Sequence, residues 1–177
     1  MHKHFSISSI GLIGNSMGGS TIIEFIKNYN TSLENFKIVW AINDCGFSNL
    51  KEQLRWASFT IFQKHWFWTT YAIKKSFKII NRFSINKVNC KKQLNLCSET
   101  PLLIIHGAKD SIVPLYMASE IYKNKIHYEK IKKSKLLIIN DAEHVQCIST
   151  DYELYTKETL EFAKRHETKI ITSAKLN

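Results

Sequence analysis

Gly14-Asn15-Ser16-Met17-Gly18 follows the apolar run Ile10-Gly11-Leu12-Ile13 and precedes a stretch with helical patterning. A G-x-S-x-G segment between a strand and a helix puts a serine at a sharp turn, its hydroxyl offered for nucleophilic attack. The glycines follow from that geometry. The turn is strained, and a Cβ two residues before or after the serine is expected to collide with the flanking elements. The helix that begins there directs unpaired N–H groups and its positive dipole end at the reacting carbonyl. Two more residues fall where a serine nucleophile needs them. Asp110 lies in the loop Ala108-Lys109-Asp110-Ser111, after the apolar run Leu102-Leu103-Ile104-Ile105 and before Pro114. His144 closes the loop Asn140-Asp141-Ala142-Glu143-His144, after Lys135-Leu136-Leu137-Ile138-Ile139.

Taken singly, each residue has a plainer reading. G-x-S-x-G is short enough to recur by chance, Asp110 suits a turn, and His144 suits a surface loop. His106, just before Gly107, is read as structural. Order and placement carry the argument. Ser16, Asp110 and His144 each sit just past the carboxyl end of a strand, where open α/β sheets place their ligands. They are separated by 94 and 34 residues, room for a strand, a helix and an insertion in the first interval and one helix and one strand in the second. A Ser, Asp, His order sets them apart from two other serine-protease arrangements. Asp141 and Glu143 are too close in sequence to His144 to come from a separate strand end, so Asp110 is the expected acid.

GNSMGGS, HGAKDSIVP and DAEHVQ resemble the three triad segments of an α/β-hydrolase, specifically its serine-aminopeptidase-like and monoglyceride-lipase-like branch. Asn43-Asp44-Cys45-Gly46-Phe47-Ser48 is similar to the segment that follows the next strand in that branch, and the resemblance runs from about residue 5 to about residue 166. It implies Ser16 as nucleophile, His144 as general base and then acid, and Asp110 as the group that orients the imidazole. The backbone N–H of Met17 would be one oxyanion donor, since that donor follows the nucleophile. The reaction so implied is cleavage of a small-molecule ester or amide through an acyl-enzyme, with no metal and no cofactor.

The expected elements are a strand at 5–13, a helix at 17–29, a strand at 36–42, a helical insertion at 48–98, a strand at 102–107, a helix at 114–125, a strand at 135–140 and a helix at 150–166. Strands alternating with helices give an α/β class, a mostly parallel sheet covered on both faces. No Pro/Gly/Ser-rich linker divides the chain, so residues 1–177 are expected as one domain. The resemblance implies that it is an incomplete one. The α/β-hydrolase pattern puts further strand–helix units before the elbow strand, and at about 30 residues per unit on the order of 100 residues of that architecture are missing. The missing part includes the loop that supplies the second oxyanion N–H. Two function classes follow: a serine hydrolase whose activity as this chain alone is in doubt, or a non-catalytic fragment (a pseudohydrolase) that retains the C-terminal half. A complementary N-terminal fragment is the partner that would complete the fold.

The insertion concentrates Trp56, Phe59, Phe62, Trp66, Phe67, Trp68, Tyr71 and Phe77 where the family carries its lid. Two readings stand for it. The aromatic stripe packs on the body and lines a pocket for an apolar substrate group, excluding water; or it rests peripherally on a membrane, tryptophans at the interface and Lys74, Lys75 and Lys78 near lipid phosphates. It does not span a bilayer, because Gln63, Lys64 and His65 interrupt it short of the ~18–20 apolar residues needed. The net charge of +10 is mostly lysine, with Arg55, Arg82 and Arg165 the only arginines. Those lysines alternate with Ile and Asn along the whole chain, and no nucleic-acid motif accompanies them, so nucleic acid is not an expected partner. Cys45, Cys90, Cys97 and Cys147 lack metal-ligand spacing and are expected as reduced thiols of a cytoplasmic protein. No secretory signal follows Met1.

Overall fold

In the computed structural model, residues 9–29, 37–62, 67–80, 82 and 84–174 are described, without the side chains of 61–62, 67, 69–70 and 168–174. The first residues of the expected 5–13 strand, Phe36 and Trp66 lie outside them. The strands are β1 (Ser9–Asn15), β2 (Lys37–Asp44), β3 (Leu102–Gly107) and β4 (Lys135–Ile139). The helices are α1 (Met17–Tyr29), α2 (Leu50–Phe62), α3 (Phe67–Ile80), α4 (Cys90–Gln93), α5 (Leu115–Tyr128), α6 (Cys147–Thr150) and α7 (Tyr152–Ala174), with 3-10 turns at Ile85–Lys87 and Leu94–Cys97. The sheet runs β1-β2-β3-β4 with every pair parallel.

Parallel strands need crossovers, and the crossovers cover the sheet. Ile22, Ile23 and Ile26 of α1 and Ala118 and Ile121 of α5 pack with Ile38, Ala41, Leu102 and Ile104 on one face. Tyr155 and Phe162 of α7 pack with Val39, Trp40, Ile42, Leu103, Ile105, Leu137 and Ile139 on the other. The unbroken apolar run of β3 is therefore buried on both sides throughout. β1 differs. Ile10 and Leu12 meet the α1 face, whereas Ile13 on the opposite face is 60% exposed. No strand lies on its far side among the described residues, so the strand that leads to Ser16 is an edge.

Pro114, the expected first helical residue, is instead the residue before α5 (φ −65°, ψ 139°), which begins one position later at Leu115. Its fixed φ suits that extended approach, and its missing N–H removes one donor that no helix acceptor would meet. The described residues of the insertion between 50 and 97 are mostly helical, in α2, α3, α4 and the two 3-10 turns. Its aromatic stripe does not pack on the body along its length. Trp68 is 62% and Tyr71 56% exposed, with Phe77, Ile79 and Ile80 exposed beside them. α2 is tied to the body, Trp56 Nε1 donating to the Ser111 carbonyl at 3.0 Å and Gln53 Nε2 to the Ile112 carbonyl at 2.8 Å, and Cys90, Leu94 and Cys97 at the end of the insertion are buried in the core beside α1 and α5. No helix among the described residues is long and apolar enough to cross a membrane.

Candidate active site

Ser16 joins β1 to α1 in a left-handed conformation, φ 52°. A non-glycine residue pays strain there, so the surroundings must hold it. Its N–H donates to the Asp44 carbonyl at 2.7 Å, fastening the turn to the end of β2. A Cβ on Gly14 would lie 2.4 Å from the Gly18 carbonyl oxygen, so the strand can enter the turn only as glycine. Gly18 departs from expectation: a Cβ there meets nothing within 4 Å. No described element covers that side of α1. The crowded helical glycine is Gly19, where a Cβ would come within 2.8 Å of Asn43 Oδ1. Asn43 Nδ2 donates to the Gly19 carbonyl at 2.8 Å and its Oδ1 accepts from the Gly46 N–H at 3.0 Å. One β2 side chain thus ties the elbow helix to the loop after β2.

The three expected residues meet. Ser16 Oγ lies 2.9 Å from His144 Nε2, and His144 Nδ1 lies 2.8 Å from Asp110 Oδ2. Glycine makes this approach feasible too. A Cβ on Gly107 would lie 2.3 Å from the Ala142 carbonyl oxygen, the same oxygen that accepts from the Lys109 N–H at 3.0 Å. The Asp110 and His144 loops are stitched together at that contact. The turn continues through Val145, φ 59°, a strained position for a β-branched residue.

Asp110 is held from several sides. Its Oδ1 accepts from the N–H groups of Ile112 and Val113 at 2.9 and 2.8 Å. Sequence reasoning read His106 as structural and missed its part here. Fully buried at the end of β3, His106 has its Nε2 2.9 Å from the Val113 carbonyl and 3.2 Å from Asp110 Oδ2. Both neighbours are acceptors, so Nε2 carries the proton and braces the carboxylate. The four-residue interval from His106 to Asp110 was the available signal. Burial pushes the Asp110 carboxyl up, but hydrogen bonds from His106, His144 and Val113 outweigh it and hold the group below its usual range. Asp141 pairs instead with Lys109 at 2.8 Å, both well exposed, outside the site.

Sequence reasoning also missed the floor of the site. Cys45, in a left-handed turn at φ 54°, and Cys147 are buried with their sulfurs 3.8 Å apart. The Cys147 hydrogen bond, burial and the Asp44 charge push the Cys45 thiol up, against the N–H groups of Gly107 and Val145. Tyr155 Oη donates to Asp44 Oδ2 at 3.1 Å. The cysteines stand 102 residues apart in the chain, so no spacing rule could pair them.

This geometry can move a proton from a serine hydroxyl to an imidazole whose far nitrogen is held by a carboxylate. The N–H groups of the first turn of α1, starting at Met17, have no acceptor within the helix and suit a nearby oxyanion. The architecture has solved counterparts. An esterase of Pyrococcus furiosus is similar at 25% identity and a TM-score of 0.61, over 89% of this chain and 53% of the esterase. The acylaminoacyl peptidase of Pyrococcus horikoshii shares the fold at 18% identity and a TM-score of 0.64, over 91% of this chain and 24% of the peptidase. So does a meta-cleavage product hydrolase from Pseudomonas fluorescens, at 16% identity and a TM-score of 0.57, over 90% and 66% of the two chains. The chain spans about half the length of the esterase it matches. No curated protein matches it. The family model described as the prolyl oligopeptidase family matches residues 2–169. With that match over nearly the whole sequence, and the α/β-hydrolase fold beneath it, the chain belongs to the prolyl oligopeptidase family.

Proposed function

We propose that this chain carries the triad half of a serine hydrolase that cleaves carboxylic ester or amide bonds through an acyl-enzyme. The observation that carries the reading is the continuous relay from Ser16 Oγ to His144 and on to Asp110, at 2.9 and 2.8 Å, from three separate strand ends. Ser16 Oγ attacks the carbonyl carbon while His144 Nε2 takes its proton. Asp110 keeps the Nδ1–H of His144 in place, so Nε2 is the nitrogen free to accept. Charge developing on the carbonyl oxygen meets the Met17 N–H at the start of α1. His144 then gives its proton to the leaving alcohol or amine, and water reverses the sequence to release the acid.

Labelling with a fluorophosphonate tests the assignment: the label enters the wild-type chain and is absent from Ser16→Ala. Equal labelling of the alanine variant sinks it. The lid reading for residues 48–98 draws on the exposed aromatic side chains of α3 and the anchoring of α2 at Ser111. It favours an apolar acyl group. Longer p-nitrophenyl esters are then preferred over acetate, by up to about 0.8 kcal/mol for each methylene buried. A flat profile, with cleavage of amino-acid amides, supports a peptidase.

A second reading, a non-catalytic fragment that binds a partner, is favoured by one observation: among the described residues β1 pairs with β2 alone, with an open space beside Gly18. A complementary N-terminal fragment, bringing the second oxyanion donor, is the partner both readings share.

A further inference from the structure

A buried side-chain cluster next to the triad has the composition of a metal centre. Asp44 ends β2, Cys45 follows it, and Cys147 opens α6 across from them, with one ligand atom of each within 4.8 Å of the others. All three are almost wholly buried. The 3.8 Å between the two sulfurs is informative. Sulfurs bound at about 2.3 Å to one tetrahedral zinc stand about 3.8 Å apart, so neither side chain would need to move. A thiol–thiol hydrogen bond would also give that distance, but it leaves Asp44 unexplained. Tyr155 satisfies Oδ2, while Oδ1 is buried with no hydrogen-bond partner among the described residues. An unmet carboxylate oxygen is costly in such a place. It is the third ligand that two thiolates lack.

We propose that Asp44, Cys45 and Cys147 form a binding site for a divalent cation of the zinc class, with Tyr155 orienting the carboxylate from behind. Thiolates select soft and borderline cations over magnesium or calcium, and a ligating carboxylate is itself hydrogen-bonded from outside, as Asp44 is here by Tyr155 Oη. Both cysteines bind as thiolates, so each cation taken up releases two protons and nothing is oxidised. Cys45 also lies within 4.8 Å of ligand atoms of Asp110 and His144, which sets the cation beside the proton relay.

Cadmium is the probe, and its readout does not involve Ser16, so this inference stands or falls apart from the hydrolase reading. Titrating the reduced, metal-free chain with Cd²⁺ gives a thiolate-to-cadmium charge-transfer band that saturates at one equivalent, with two protons released. Cys147→Ser loses the band, and Cys90→Ser, altering a thiol outside the cluster, keeps it. Asp44→Asn retains both thiols and binds at least tenfold more weakly, a result that does not depend on the folding of the serine variant. The proposal is overturned if the wild-type chain shows no saturating band, if Cys147→Ser shows the same band, or if Asp44→Asn binds as tightly as wild type.

Discussion

Ser16, Cys45 and Val145 hold φ values of 52°, 54° and 59°, and all three stand at the loops that meet over the sheet end. Such conformations cost on the order of 1–3 kcal/mol each and persist where the surroundings over-determine them. Here the determinants are specific: the Ser16 N–H bond to Asp44, the Cys45 N–H bond to the Ile105 carbonyl at 2.9 Å, and the close contact at Gly107. That Ser16, Asp110 and His144 meet was legible in the sequence, because a serine nucleophile would demand those residue types after strands. His106 and Cys147 were not, since their roles come from contacts across separate loops. The acid assignment has a direct check. Asp110→Asn leaves His144 free to take the wrong tautomer, and by analogy with serine proteases turnover falls by about 10⁴. Asp141→Asn removes only an exposed partner of Lys109 and leaves turnover unchanged. Steady-state kinetics of the two variants decide it: a silent Asp110→Asn beside a dead Asp141→Asn reverses the assignment.

Elements were read well where burial is uniform and poorly where partners decide. β3 came out at the expected residues because a fully buried parallel strand has an unbroken apolar run. Lys125 would count as solvent-facing by type, yet it is buried, its Nζ donating to the Cys97 and Ser98 carbonyls at 2.9 and 3.0 Å and pairing with Glu129 at 2.9 Å. The bonds to the Cys97 and Ser98 carbonyls cross from α5 to the end of the 3-10 turn at Leu94–Cys97, which no local pattern encodes. Two predictions belong at this scale. Gly107→Ala drives a Cβ into the Ala142 carbonyl, backbone against backbone, so the His144 loop must shift. Overpacking of this kind costs about 1–3 kcal/mol, and turnover falls with the denaturation midpoint; unchanged values for both would remove Gly107 from the argument. The second concerns Cys90 and Cys97, whose thiols meet the Ser20 and Ile23 carbonyls of α1. Burial pushes them up to about 12 and about 11, from 9.0 in the unfolded chain. Their contribution to stability is complete below pH 9 and is lost as pH rises toward 11–12, because only the unfolded state ionises in that interval. Urea midpoints fall across that range for the wild-type chain, and less steeply for the Cys90→Ala/Cys97→Ala double variant. Parallel profiles would contradict it.

At the scale of the molecule, the proposed nucleophile Ser16 follows the least supported of the described strands. β1 pairs with β2 alone among the described strands, Ile13 and Met17 are exposed on either side of Ser16, and Gly18 faces open space. An apolar strand edge of this kind recruits further strands, from copies of itself if nothing else is offered. The chain spans about half the esterase it resembles, and on the proposed reading Met17 supplies one of the two oxyanion donors that the α/β-hydrolase pattern uses. Removing one such donor typically lowers turnover by about 100–1,000-fold. The isolated 177-residue chain is therefore expected to self-associate and to hydrolyse p-nitrophenyl esters weakly, even though Ser16, His144 and Asp110 are in hydrogen-bond contact. An N-terminal half supplied in trans pairs with the free side of β1, covers Ile13 and Met17, and brings the second donor to the oxyanion. Light scattering after size-exclusion chromatography then shows a single complex in place of the oligomers, and kcat rises by about 100-fold or more. A monomeric chain that is fully active by itself would overturn this account of the open edge.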